Sequence, residues 1–192
     1  MALKLVVFDL DGTLLAPMLD FDAIRQEIGL PPETTILEGM NGLSEAERAR
    51  ASAILNRHEA EAAARSRLMP GAEALLAGLR QRGIKIAILT RNSRDSVERA
   101  RKRHGLVLDA AVVREDMKPK PSPEGVRHLM EVCGTGPDET IVVGDFRFDI
   151  EAGAAAGCRT IAIVWEPVPP WAAEAPWTAR GLDEVGKILA RV

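Results

Sequence analysis

Leu3-Lys4-Leu5-Val6-Val7-Phe8-Asp9-Leu10-Asp11-Gly12-Thr13-Leu14 is the stretch that decides the fold. Leu5 to Phe8 are apolar in succession, the pattern of a short strand covered on both faces of a sheet. Asp9 and Asp11 then leave the strand where its carboxyl end meets solvent. Strand periodicity points both side chains to one face, and Gly12 offers a turn that can redirect the backbone. Two carboxylates so close repel unless a cation or a shared proton intervenes. A divalent cation lets both ionise, and all-oxygen ligands suit Mg²⁺. Taken alone, the segment also fits a solvated acidic turn.

Further along the chain, strand-like runs recur at Ile84–Leu89, Ala110–Val113, Thr140–Val143 and Thr160–Trp165. Helical patterns alternate with them at Gly71–Arg82, Arg94–His104, Pro123–Cys133 and Asp149–Ala156, and Leu182–Arg191 closes the chain as a helix. This alternation predicts an α/β fold, a doubly wound, mostly parallel, Rossmann-like sheet with right-handed crossovers. Pro70 and Pro123 are placed in first helical turns, which tolerate proline, and Gly83, Gly105 and Gly134 act as C-terminal stops.

Residues 16–68 break the rhythm. They offer a short amphipathic helix at Phe21–Ile28, a Pro31-Pro32 interruption and a long helical stretch from Ser44 to Arg67. Ser44 and Glu47 have the spacing of a capping box. The expected organisation is a core of residues 1–15 and 69–192, with 16–68 as a small α-helical cap over the sheet's carboxyl edge. The segment Glu166–Trp177, rich in Pro and Trp, reads as a surface excursion.

The chain has 192 residues and a net charge of −3, which argues against a nucleic-acid partner. The arginines of residues 91–103 read as a solvated helix face. No apolar run approaches the roughly 18–20 residues of a membrane span. The first residues enter a strand directly, so no signal peptide is expected. Cys133 and Cys158 lack metal-site spacing and read as reduced thiols, so the expected setting is cytoplasmic.

Four segments follow strand ends, where open α/β sheets place their ligand sites. They are Asp9–Thr13, Thr90-Arg91-Asn92-Ser93, Lys118–Pro123 and Gly144-Asp145-Phe146-Arg147-Phe148-Asp149. Together they hold what phosphoryl transfer needs. A carboxylate can attack phosphorus, splitting the reaction into two easier steps. A divalent cation offsets charge, and a hydroxyl and backbone N–H groups hold phosphoryl oxygens. A lysine stabilises negative charge, and a second carboxyl moves the proton.

With these four segments in order, nearly the whole chain resembles the haloacid dehalogenase (HAD) superfamily, and within it the phosphoglycolate-phosphatase-like hydrolases. Asp9-Leu10-Asp11-Gly12-Thr13 matches the family's DxDGT opening, Thr90 its Ser/Thr, Lys120 its KPxP lysine, and Gly144-Asp145 through Asp149 its GDxxxD. The resemblance implies that Asp9 is the nucleophile and a metal ligand. Asp11 is the acid and base, with its backbone carbonyl on the metal. Thr90 binds the phosphoryl group and Asp145 completes the Mg²⁺ ligands. Asp149 supports the metal's water shell or pairs with the lysine. Arg91 and Asn92 lie close enough to reach a ligand. Lys118 also begins a KPxP tetrapeptide, but the helix follows Lys120 at once, which favours Lys120. Arg147 either meets an anionic substrate or balances the acids beside it. Phe146 departs from the Ser common at that position.

The implied activity is a Mg²⁺-dependent phosphatase acting through an aspartyl-phosphate on a small phosphorylated metabolite, with phosphoglycolate as the resemblance's own example. Asp11 weighs against the dehalogenase branch, which needs no acid to protonate an ester oxygen. A phosphomutase shares the motifs but asks for a larger cap. A phospho-receiver, or a binding protein without catalysis, is the alternative of another class, yet a receiver's phosphorylated Asp ends a middle strand of the sequence and here the acid ends the first. Monomer and homodimer are both compatible with the sequence.

Overall fold

The structure is a computed structural model that describes residues 2–192. Its centre is a sheet of six parallel strands in the order β3-β2-β1-β4-β5-β6. They are β1 (Leu5–Phe8), β2 (Lys85–Leu89), β3 (Ala110–Val112), β4 (Thr140–Gly144), β5 (Arg159–Ile163) and β6 (Trp177–Ala179). Alternate residues of each strand serve opposite faces. Val6, Phe8, Ile86, Ile88, Ile141 and Val143 pack with helices α4 (Ala72–Gln81), α5 (Arg94–His104) and α8 (Leu182–Leu189). Leu5, Val7, Ala87, Leu89 and Val142 pack with α6 (Glu124–Cys133) and α7 (Arg147–Ala155). Both faces are therefore covered, which explains why the strands read as continuous apolar runs rather than alternating ones.

Between β1 and α4 the chain inserts α1 (Phe21–Ile28), α2 (Ile36–Met40) and α3 (Glu45–Arg65). These helices share a small core of their own, formed by Ile24, Ile36, Met40, Ala51 and Leu55. Ser44 begins α3 with the expected capping box, its N–H donating to Glu47 Oε2 at 2.9 Å. The insertion leaves and rejoins the sheet through a paired stem. The Ala16 N–H donates to the Arg67 carbonyl and the Met69 N–H to the Leu14 carbonyl, both at 2.9 Å.

Several boundaries differ from the sequence expectation. Pro70 is not in a helical turn, because α4 begins at Ala72 with Gly71 as its cap. Gly71 has φ +84°, and a Cβ there would lie 2.6 Å from Asp183 Oδ1, so the chain turns sharply before the helix can start. The helix expected at Asp149 starts two residues earlier, at Arg147. Strand β5 stops at Ile163, leaving Trp165 exposed beyond it. The segment read as a surface excursion ends in a sixth strand. Trp177 begins β6 and pairs with Ile161, and its ring lies under the Arg159 guanidinium. A strand of three residues offers too little periodicity to read. The arginines of α5 do form an exposed face, with Arg99 on Asp95 and Arg101 on Glu98. Arg91 does not belong to it: it precedes the helix and turns inward. Among the described residues no helix is long and apolar enough to cross a membrane.

Candidate active site

Strand order places the site. Chain direction across the sheet reverses at β1, whose neighbours are β2 and β4, and open α/β sheets bind ligands outside the carboxyl ends at such a point. Phe8 stands beside Val143 in the register, and the Asp9 N–H donates to the Val143 carbonyl at 2.9 Å. Asp9 and Asp145 thus leave adjacent strands side by side. Thr90 leaves β2 on the other flank, and its N–H donates to the Val112 carbonyl at 3.1 Å.

Gly12 lets the acids approach. Its φ is +82°, and a Cβ at that position would lie 2.1 Å from Asp145 Oδ2. Only a residue without a side chain permits both the left-handed backbone and the carboxylate beside it. Thr13 then donates its hydroxyl to Asp145 Oδ1 at 3.1 Å.

Lys120 is the lysine that enters the site, and Lys118 is exposed. The Lys120 ammonium lies 2.6 Å from Asp9 Oδ1 and 2.5 Å from Asp149 Oδ1. Burial disfavours its charge, but Asp149 and Asp9 outweigh that cost and hold its pKa well above the ordinary lysine value. Asp149 is fully engaged: its other oxygen accepts the Phe146 N–H at 3.0 Å. Of the two functions the resemblance implies for Asp149, pairing with the lysine is the one this geometry displays.

Carboxylate oxygens of Asp9, Asp145 and Asp149 all lie within 4.8 Å of one another. Burial, then the charge of Asp9, hold the Asp145 carboxyl above the usual carboxylate range. One lysine thus faces three acids, and the donor set is oxygen throughout. Such a set fits a hard divalent cation such as Mg²⁺. Asp9 and Asp145 are the better placed to hold it, since Asp149 is committed to Lys120 and the backbone.

Asp11 stands apart from that cluster. Its carboxylate accepts a hydrogen bond from the Asn92 side-chain amide. Burial, then the charge of Asp9, push its pKa up to about 7, against the lowering effect of Asn92. A carboxyl near 7 can both give and take a proton at neutral pH. The two acids of the DxD pair therefore sit in different electrostatic settings.

Thr90 and Asn92 are buried at the wall of the same cavity, and the Asn92 N–H donates to Thr90 Oγ1 at 3.2 Å. Arg91 donates to both oxygens of Glu38 on α2 at 2.6 and 2.8 Å, and to the Lys120 carbonyl at 2.5 Å. Its guanidinium also lies 4.8 Å from the centre of the Phe148 ring. Arg147 stacks on Phe146 and Phe148 instead of balancing the acids.

Sequence reasoning missed Glu59. This carboxylate on α3 is 2 % exposed, accepts the Ser93 N–H at 3.0 Å and pairs with Arg114. The signal was present: Ala51, Leu55, Glu59 and Ala63 recur every four residues along one face of α3, and all are buried. Glu59 lies on that stripe and lines the cavity together with Asp11.

Residues 3–157 match the haloacid dehalogenase-like hydrolase family. The chain belongs to that family. An uncharacterized hydrolase of Saccharomyces cerevisiae is 35% identical over 83% of this chain and 76% of its own length. The N-acetylmuramic acid 6-phosphate phosphatase of Pseudomonas aeruginosa is 30% identical over 93% of this chain and 89% of its own. A crystal structure described as a predicted phosphoglycolate phosphatase from Haemophilus somnus superposes with a TM-score of 0.78. It covers 97% of each chain at 22% identity and so shows a shared fold. Within this HAD-like hydrolase, the elements that carry Asp9, Thr90, Lys120 and Asp145 all lie inside the matched span.

Proposed function

We propose that the protein is a Mg²⁺-dependent phosphatase that hydrolyses a phosphomonoester of a small metabolite through an aspartyl-phosphate on Asp9. The observation that carries this reading is the division of labour between the acids. Asp9 is steadied by Lys120 beside a metal-compatible cluster, while Asp11 is held away from it by Asn92 with a pKa near neutrality.

A carboxylate oxygen of Asp9 attacks phosphorus as the bond to the ester oxygen breaks, and Asp11 gives its proton to that departing oxygen. Asp11, now ionised, takes a proton from a water that attacks the phosphorus. The bond to Asp9 breaks, phosphate leaves, and both acids return to their first states. Lys120 offsets negative charge on Asp9 and on the phosphoryl oxygens, and Thr90 and Asn92 orient the phosphoryl group. Asp9 and Asp145, with the Asp11 carbonyl, would hold a Mg²⁺ ion, which would offset negative charge during the attack. Residues 16–68 serve as the cap: side chains of α1, α2 and α3 share one cavity with the acids. That cap selects among phosphate esters, phosphoglycolate included.

The test is phosphate release from an aryl phosphate and a panel of metabolite phosphates. Release is expected with Mg²⁺, to be lost on chelation and in Asp9→Asn. A folded protein that releases no phosphate from any of them, or that stops at a stable aspartyl-phosphate, overturns the hydrolase reading.

A further inference from the structure

The cavity that holds the acids measures about 460 Å³, within the range of about 300–1,000 Å³ typical of pockets for sizeable organic ligands. The phosphoryl end occupies only the polar corner formed by Asp9, Thr90 and Lys120. The apolar part of the cavity's lining comes from Phe21, Ile36, Leu37 and Leu55 of the insertion, with Phe146 and Phe148 from the start of α7. Phe21 and Phe146 are about half exposed, so their surfaces are available to a ligand.

Three cations line the cavity, and each already has a carboxylate partner. Lys120 is held by Asp9 and Asp149 and Arg91 by Glu38, while Arg25 meets the exposed Asp22 and keeps a buried Nε–H without a partner. Glu33 lines the same space, as does Glu59, whose charge Arg114 offsets. Apart from the Arg25 Nε–H, the cavity outside the polar corner offers mostly apolar surface. An apolar body would exchange water for the exposed rings of Phe21 and Phe146 at that surface.

We propose that the substrate is a phosphomonoester whose leaving group is bulky and largely apolar, larger than that of phosphoglycolate. This rests on the phosphatase reading and narrows it. Each leaving-group methylene buried against these walls multiplies the specificity constant, up to roughly fourfold per methylene at full burial.

The experiment is a series of straight-chain alkyl phosphates, whose leaving-group chemistry is nearly constant while apolar surface grows. With Mg²⁺, kcat/KM is expected to rise at least about tenfold from ethyl to hexyl phosphate and to exceed that for phosphoglycolate. Phe21→Ser is expected to flatten the rise. In parallel, binding of ethyl- and hexylphosphonate, which cannot be hydrolysed, is measured by calorimetry. Steady turnover that is flat with chain length, or that favours phosphoglycolate, overturns the proposal and leaves the phosphatase reading standing. No turnover, with hexylphosphonate bound more tightly than ethylphosphonate, overturns the phosphatase reading but supports the apolar pocket. Neither turnover nor a chain-length effect on binding overturns both.

Discussion

The ammonium of Lys120 and the carboxylate of Asp149 meet at 2.5 Å with almost no solvent contact on either side, 4 % and 2 % exposed. Without Lys120, Asp149 is left as an uncompensated charge in a poorly polar setting.

Lys120→Met is therefore expected to cost about 3–5 kcal/mol of stability, read by urea denaturation. The loss should be larger at pH 8 than at pH 5. Without the ammonium, Asp149 has a carboxyl pKa raised above its unfolded value, so the folded form is favoured at low pH and loses stability as pH rises through that pKa. Adding Asp149→Asn to the same variant should recover part of the loss. A loss independent of pH, with no recovery, would show that the pair is not what the substitution breaks.

Gly12→Ala combines two faults, a left-handed backbone and a Cβ against Asp145 Oδ2. The expected destabilisation is about 1–3 kcal/mol. Because the clash falls on a carboxylate of the acidic cluster, Mg²⁺ affinity should drop as well, measured by titration calorimetry. Unchanged Mg²⁺ binding would place the metal away from Asp145.

The alkaline limb of kcat/KM should report the acid that protonates the leaving oxygen. Asn92 donates to the Asp11 carboxylate and so favours its ionised form. Asn92→Ala removes that preference, which raises the Asp11 pKa and keeps the acid protonated to higher pH. The limb is expected to move upward. A limb that stays in place or moves downward would remove Asp11 from the role of acid.

Glu59 and Arg114 tie α3 of the insertion to the loop after β3, and Glu59 also receives the Ser93 N–H at the start of α5. Ala substitutions at both positions, singly and together, should give a coupling energy of about 0.5–3 kcal/mol in a double-mutant cycle. Additive losses would mean that the two side chains act independently.

The acids of the site were legible because the sheet makes them so. A short apolar run that ends in a carboxylate marks a strand's carboxyl end, and Asp9, Thr90 and Asp145 each stand at one. Their convergence follows from strand order, which the motifs and the alternation of elements imply together. Lys118 and Lys120 could be ranked by helix phase, and burial separates them. Glu59 was hidden for a different reason. It lies in a helix dominated by Ala, Glu and Arg, and its partners are 34 and 55 residues away along the chain. A charge in such a helix looks solvated until its partners are known. Arg91 was legible as a site residue but its partner was not, since Glu38 lies in a five-residue helix with no readable periodicity. Pro70 misled because Gly71 after it is left-handed and packs against Asp183, more than a hundred positions away.

The stem where Ala16 faces Arg67 and Leu14 faces Met69 brings the two ends of the insertion together before any of its helices begin. For the sheet, everything between those ends is a loop already closed. Closing a flexible loop of twice the length costs only about 0.6 kcal/mol more. The segment between can therefore grow, shrink or be exchanged with little effect on the stability of the strands that hold Asp9 and Asp145. If the insertion selects the substrate as proposed, chemistry and substrate choice are free to change at different rates, one fixed by the sheet and the other set by whatever the stem carries.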